Sequence, residues 1–213
     1  MLRETPSESV GYTITSTPFS ALYTYSNSTH DFGNCRDDAT FNKHMGFLAP
    51  ELLRVTQAGR LLSLHCMLIP SQKAKDGVVG LKDFRGDLIR LFQEAGWIFH
   101  SEVTIWKDPV IAVTRTKALG LLYKQLKKDS AMSRQGIPDY LVTFRKPGEN
   151  LHPITKNPED YPVERWQKMA SPCWMDIRES DTLNAAEGRD EDGDLRPRQA
   201  DVAGEDLPVV LAG

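Results

Sequence analysis

The chain of 213 residues has little cysteine: only Cys35, Cys66 and Cys173. They lie far apart and form no C-x-x-C pair. An odd, scattered set argues against a disulfide framework and a zinc site, and three reduced thiols are expected. Long hydrophobic runs are also missing. No segment approaches the roughly 20 consecutive apolar residues of a membrane span, so no membrane partner is expected. The start, Met1-Leu2-Arg3-Glu4-Thr5-Pro6, lacks the apolar core of a signal peptide, which points to a cytoplasmic protein. No internal repeat is found.

What is present is the composition of a globular protein, with 40% hydrophobic and 26% charged residues. This length fits one domain, or one domain plus a tail. The net charge of −3 conceals an asymmetry. Asp176 to Gly213 holds 11 acidic and 4 basic residues, a net of −7, which leaves +4 on Met1 to Met175. A basic body with an acidic tail favours a polyanionic partner for the body. Hydrophobic periodicity stops near Asn184, and 185–213, rich in Gly, Asp, Glu and Arg, is expected to be a disordered acidic tail.

Within residues 1–184 the pattern alternates. Gly11 to Thr15 reads as a short strand. Asp37 or Asp38 is placed to cap a helix over 39–57, with Phe41, Met45, Leu48, Leu52 and Val55 at helical spacing and Gly59 as its stop. Arg60 to Cys66 is a compact apolar run and reads as a buried strand holding His65 near its end. Residues 70–80 read as a mobile loop. A second helix opens at Lys82 or Asp83, and strands follow over 97–106 and 139–145. Strand, helix, strand, helix, strand argues for an α/β layer structure.

The stretch that carries chemistry is Ser16-Thr17-Pro18-Phe19. Proline cannot continue a central strand, so the chain leaves the sheet here. A hydroxyl, a proline and an aromatic ring thus arrive together at a strand's carboxyl end, the edge at which open α/β sheets bind ligands. Tyr23, Tyr25, Asn34, Arg36 and Asp37 follow in a long loop. A basic segment, 115–135, carries Arg115, Lys117, Lys124, Lys127, Lys128 and Arg134 against the single acid Asp129. On one helix, Lys117, Leu121, Lys124 and Lys128 form one stripe and Leu119, Leu122 and Leu126 another, so that one stripe can rest on the body as the other faces outward. A solvated helix face is the plainer reading of such a charge run. His65 either meets a ligand or is a satisfied strand-end histidine.

Ser16-Thr17-Pro18-Phe19 resembles the catalytic tetrapeptide of DNA amino-methyltransferases, (Asp/Asn/Ser)-Pro-Pro-(Tyr/Phe). The run Ser16 to Ser26, then Gly33-Asn34-Cys35-Arg36-Asp37-Asp38, and the block Trp106-Lys107-Asp108-Pro109 are similar to phage and prophage members of the N4-cytosine/N6-adenine methylase family, and the likeness extends to about Asn184. Thr17 departs from the pattern, standing where the family has its first proline. The resemblance implies a partial Rossmann-like methyltransferase sheet with flanking helices over 1–184, the catalytic half of a restriction-modification type enzyme. The implied reaction moves a methyl group from S-adenosylmethionine to an exocyclic amine of cytosine (N4) or adenine (N6) in double-stranded DNA. The serine leans toward cytosine.

Such an enzyme must extrude its base and align the amine with the methyl sulfonium. Ser16 and the carbonyl of Thr17 are then the acceptors for the amine, Phe19 stacks on the base, and the 115–135 cations face DNA. The family's donor-binding segment, Phe-x-Gly-x-Gly after a strand, has no match in the chain. A product ending before the donor half is therefore expected, with self-association or a complementing methylase subunit. The alternatives are a DNA-binding remnant without turnover and a partner module for an intact methylase.

Overall fold

The structure, a computed structural model, describes residues 4–20, 22, 26, 28, 30–116, 118–157, 159 and 161–177, and the backbone of two residues at 209–210. Among the described residues the strands are β1 (Val10–Ser16), β2 (Thr56–Met67), β3 (Ile69–Ser71), β4 (Gly80–Lys82), β5 (Ile98–Ile105), β6 (Asp139–Arg145), β7 (Cys173–Trp174) and β8 (Val209–Val210). The helices are α1 (Asp38–Val55), α2 (Lys73–Asp76), α3 (Phe84–Glu94), α4 (Pro109–Thr116), α5 (Tyr123–Lys128) and α6 (Val163–Met169).

The main sheet runs β7-β5-β6-β2-β1-β8. It is mixed. β1 runs parallel to β2 and to β8, and β5 parallel to β7, while β6 is antiparallel to both β2 and β5. The α/β reading from the sequence therefore holds, with one strand reversed in the middle.

The core lies on one face of this sheet. Along β2, Leu62, Leu64 and Cys66 are buried on this face, with Ser63 buried on the other, and Val142 and Phe144 of β6 join the core. Helix α1 supplies Phe41, Met45, Ala49 and Leu52 from a stripe three to four residues apart, and α3 supplies Leu88 and Phe92. Phe92 stacks on Phe144 at 4.9 Å between ring centroids. Each such side chain, withdrawn from water, contributes about 1.5–3 kcal/mol. Burial also pushes the Cys66 thiol up to about 12, so it is an inert core group. Cys35, Cys66 and Cys173 are all free thiols.

Local chemistry sets the helix starts. The Asp37 carboxylate accepts from the amide of Thr40, and that of Asp83 from the amide of Gly86. Three expectations need correction. Helix α1 stops at Val55, and Gly59 lies inside β2 at φ +70°, where a Cβ would sit 2.6 Å from the backbone nitrogen of Asn150. That glycine serves a close chain crossing rather than a helix end. Residues 70–80 are no free loop: β3 and β4 pair as a hairpin around α2, anchored by buried Ile69 and by Lys82 between Asp38 and Asp76. The basic segment is not one helix. It breaks into the end of α4, a 3-10 turn at Leu119–Leu121, α5 and a second turn at Ser130–Met132, and Leu119 and Leu126 are exposed rather than packed on the body. Among the described residues no helix is long and apolar enough to cross a membrane.

Candidate active site

Strand register assembles the site. Ser16, the last residue of β1, pairs with His65 of parallel β2. Side chains alternate along a strand, so these two point to the same face, away from Leu64 and Cys66. His65 sits opposite Leu141 of antiparallel β6, which places Asp139 two residues along on the same face. Because β6 is reversed, its first residue reaches the edge at which β1 and β2 end. Asp139 in turn pairs with Ile105, the end of β5, and Lys107 follows two residues later.

Distances confirm that the four side chains form one chain of contacts. Ser16 Oγ lies 3.0 Å from His65 Nδ1. His65 Nε2 lies 3.0 Å from Asp139 Oδ2, and Lys107 Nζ lies 2.7 Å from the same oxygen. Ser16 is exposed and His65 half-buried, whereas Asp139 is only 6% exposed. Burial raises the Asp139 carboxyl, but hydrogen bonds from His65 and Lys107 outweigh it and hold the group below the usual carboxylate range. Its second oxygen, Oδ1, is buried with no hydrogen-bond partner.

The tetrapeptide is split by exposure. Ser16 faces solvent, Thr17 is 5% exposed, and Pro18 and Phe19 are half-buried. The Thr17 hydroxyl has no partner. The Phe19 ring packs edge-on against His65 at 5.8 Å and against Phe84 at 6.5 Å between centroids. Ser20 follows at φ +51°, a left-handed conformation that is uncommon for serine. It is held there by a 2.5 Å hydrogen bond from its hydroxyl to Asp38, which Lys82 also binds at 2.9 Å. These contacts lower the Asp38 carboxyl against the opposing effect of its own burial. A cleft of about 230 Å3 opens beside Phe19 and Ser20, lined also by Ile69, Pro70, Asp38, Asp76 and Lys82. A larger groove of about 490 Å3, between α1 and α3 near Asn42 and Arg90, shares no residue with this edge.

The arrangement can grip a planar polar group: a hydroxyl with an imidazole behind it, beside an aromatic ring and a small cleft. Phe19 packs half-buried against the core and lines the cleft, whereas Ser16 is exposed and is not among the lining residues.

The basic residues are elsewhere and only partly gathered. Lys124, Lys127 and Lys128 are exposed on α5, with Lys127 over the Tyr123 ring at 5.3 Å. Arg134 is half-buried, its amide donating to Gly120 and its guanidinium to the carbonyl of Gln135. Lys117, the side chain of Arg115, Tyr23, Tyr25 and the tail over 178–208 and 211–213 lie outside the described residues. Of the other loop residues, Asn34 donates to the carbonyls of Ser26 and Ser28, and Asp37 caps α1, so both order the segment rather than face the tetrapeptide.

Asp139 and Lys107 were not singled out by the sequence. The available signals were an aspartate opening a strand and a lysine in Trp106-Lys107-Asp108-Pro109. Both become meaningful only once β6 is known to run backwards between β2 and β5.

No protein-family model matches the chain. No curated protein matches it either. Solved structures do. A candidate DNA modification methylase of Thermus thermophilus, complexed with S-adenosyl-L-methionine, superposes with a TM-score of 0.61 at 17% identity, over 83% of this chain and 62% of that one. The cytosine-N4-specific PvuII DNA methyltransferase does so with a TM-score of 0.52 at 15% identity, over 87% of this chain and 57% of that one. The chain thus spans about three fifths of the length of these two proteins. Its mixed sheet and flanking helices share the fold of these two solved structures.

Proposed function

We propose that this chain carries the acceptor side of a DNA amino-methyltransferase acting on cytosine N4. The observation that supports it most is Ser16: an exposed hydroxyl at the carboxyl end of β1, backed by His65 and flanked by the Phe19 ring. An extruded base would stack on Phe19, a contact of the kind worth about 1–3 kcal/mol. Ser16 and the Thr17 carbonyl would accept the two amine hydrogens, aligning the nitrogen lone pair with the incoming methyl group. A nitrogen so aligned would take up the methyl group that the donor supplies. One proton must then leave the amine.

S-adenosylmethionine supplies the electrophilic methyl when bound. The residues present do not include the Phe-x-Gly-x-Gly segment expected to hold it. The donor site is therefore assigned to a complementing methylase subunit or to further protein alongside β1. The edge of β1 away from β2 agrees with this, since among the described residues β8 pairs with it at Thr13 and Ile14 alone. Lys124, Lys127 and Lys128 would contact the phosphates of double-stranded DNA, with Arg115, Lys117 and Arg134 beside them.

Tritiated methyl transfer to unmethylated DNA tests the reading. Transfer by the chain, alone or with a complementing subunit, and its loss in Ser16→Ala, is the expected result. The missing glycine-rich segment favours a second reading, a DNA-binding remnant or partner module without turnover. Salt-sensitive DNA binding with no heat of binding for S-adenosylmethionine would select it.

A further inference from the structure

We propose that the hairpin of β3, α2 and β4 is a wedge that enters duplex DNA beside the cleft and fills the gap left by an extruded base, with Val78 and Val79 as the inserted side chains. The inference rests on the DNA reading above and adds a second contact surface to it.

Extruding a base breaks its pair and its stacking contacts, and it leaves a hole in the duplex. Ser16 and Phe19 are used on the base itself, so neither fills that hole. Proteins that open a base step do so with apolar side chains pushed between the bases, while cations hold the flanking phosphates.

The hairpin has the parts for this. Its strands pair from Ile69–Lys82 to Ser71–Gly80 and form a sheet of their own. The base of the hairpin is fixed. Ile69 is buried in the core, and Lys82 Nζ lies 2.9 Å from Asp38 and 2.7 Å from Asp76. The Asp76 carboxylate also accepts from the amide of Gln72 at 2.7 Å, and Gly77, at φ +75°, turns the chain out of α2. Beyond these ties the surface is apolar: Val78 is 62% exposed, Val79 40% and Leu81 46%. Apolar groups shown to water on a firmly held element mark a contact surface. Valine is also stiff about χ1, so its insertion costs little side-chain freedom.

Position and charge name the partner. Ile69, Pro70, Gln72 and Lys82 line the same cleft as Phe19 and Ser20, so the hairpin rises from the wall of the space that would receive the base. Residues 69–82 carry three lysines against one aspartate, and Lys73 and Lys75 are exposed on α2. An apolar tip beside exposed cations matches bases stacked between two phosphate backbones. Two copies meeting hairpin to hairpin would instead oppose like charges.

Fluorescence anisotropy of the full chain on two short unmethylated duplexes tests this. One duplex is intact, and the other has a single central abasic position that supplies the gap ready made. The chain should bind the gapped duplex about 10-fold more tightly, equivalent to about 1.4 kcal/mol. Val78→Ser combined with Val79→Ser should remove that preference, and Val78→Leu combined with Val79→Leu should keep it. Lys73→Gln should weaken binding to both duplexes alike, lower the log–log salt slope by about 0.9 and leave the preference in place. Equal binding of the two duplexes by the unaltered chain overturns the wedge and leaves the DNA reading standing. So does a preference that survives the serine substitutions or is lost in Lys73→Gln. Self-association that the serine substitutions abolish, with no preference for the gap, overturns the wedge in favour of a contact between copies. Binding to neither duplex overturns both the wedge and the DNA reading.

Discussion

Replacing Asp139 by asparagine perturbs the site where its electrostatics converge. The carboxylate is 6% exposed and receives Lys107 Nζ at 2.7 Å and His65 Nε2 at 3.0 Å on a single oxygen. Hydrogen bonds to a charged group contribute about 1.5–3 kcal/mol each, and breaking a fully buried ion pair costs about 3–5 kcal/mol. Two features reduce that figure here. Lys107 and His65 keep 20% and 31% of their side-chain surface exposed, so both regain some water once the charge is gone. Asparagine also still offers one acceptor, and Oδ1 had no partner to lose. A loss of roughly 2–3 kcal/mol at neutral pH follows, or about 4–12 °C in Tm for a chain of this size.

The pH dependence has a definite sign. The folded-state pKa of Asp139 is depressed, so its stabilisation is present above the unfolded value of about 3.9 and is lost as pH falls through the folded value. Urea denaturation at pH 7 and near pH 3 should therefore show the gap between the two proteins narrowing in acid. Asp37, Asp38 and Asp76, also depressed, are common to both and cancel in the difference. An unchanged midpoint at pH 7, or the same gap at both pH values, refutes the reasoning.

Thr17→Val should stabilise the chain by about 1 kcal/mol, because it removes a buried hydroxyl that has no partner and keeps the branched shape. A higher urea midpoint with an unchanged slope is the result to look for, and destabilisation would mean that the hydroxyl is satisfied. Neutralising Lys124, Lys127 and Lys128 to glutamine should reduce the log–log salt slope of DNA binding by about 0.9 for each phosphate that α5 no longer neutralises. An unchanged slope removes α5 from the DNA interface.

Much of this protein was legible in residue order. Two helix starts were legible to within a residue, at Asp37 or Asp38 and at Lys82 or Asp83, and Asp37 and Asp83 are the caps, because a short carboxylate is a strong N-cap. The spacing of Phe41, Met45 and Leu52 announced the buried face of α1, and proline in Ser16-Thr17-Pro18-Phe19 announced the end of β1. These signals act over one to four residues, the range of local hydrogen bonds and side-chain periodicity, so the sequence carries them without knowledge of the fold. The basic segment misled for the same reason. Helical spacing of Leu119, Leu122 and Leu126 says which residues would share a face, not whether any surface lies beneath that face.

The tertiary structure decided everything that depends on strand direction and register. Ser16 and His65 are 49 residues apart, and His65 and Asp139 are 74 apart. Only the parallel pairing of β1 with β2 and the reversed insertion of β6 bring them within hydrogen-bond distance. A shift of register by one residue would turn His65 into the core and Cys66 out to the site, because side chains alternate along a strand. The sequence by itself determined which groups reach the carboxyl edge of β1. Long-range pairing, which no local pattern encodes, determined which charges stand behind them.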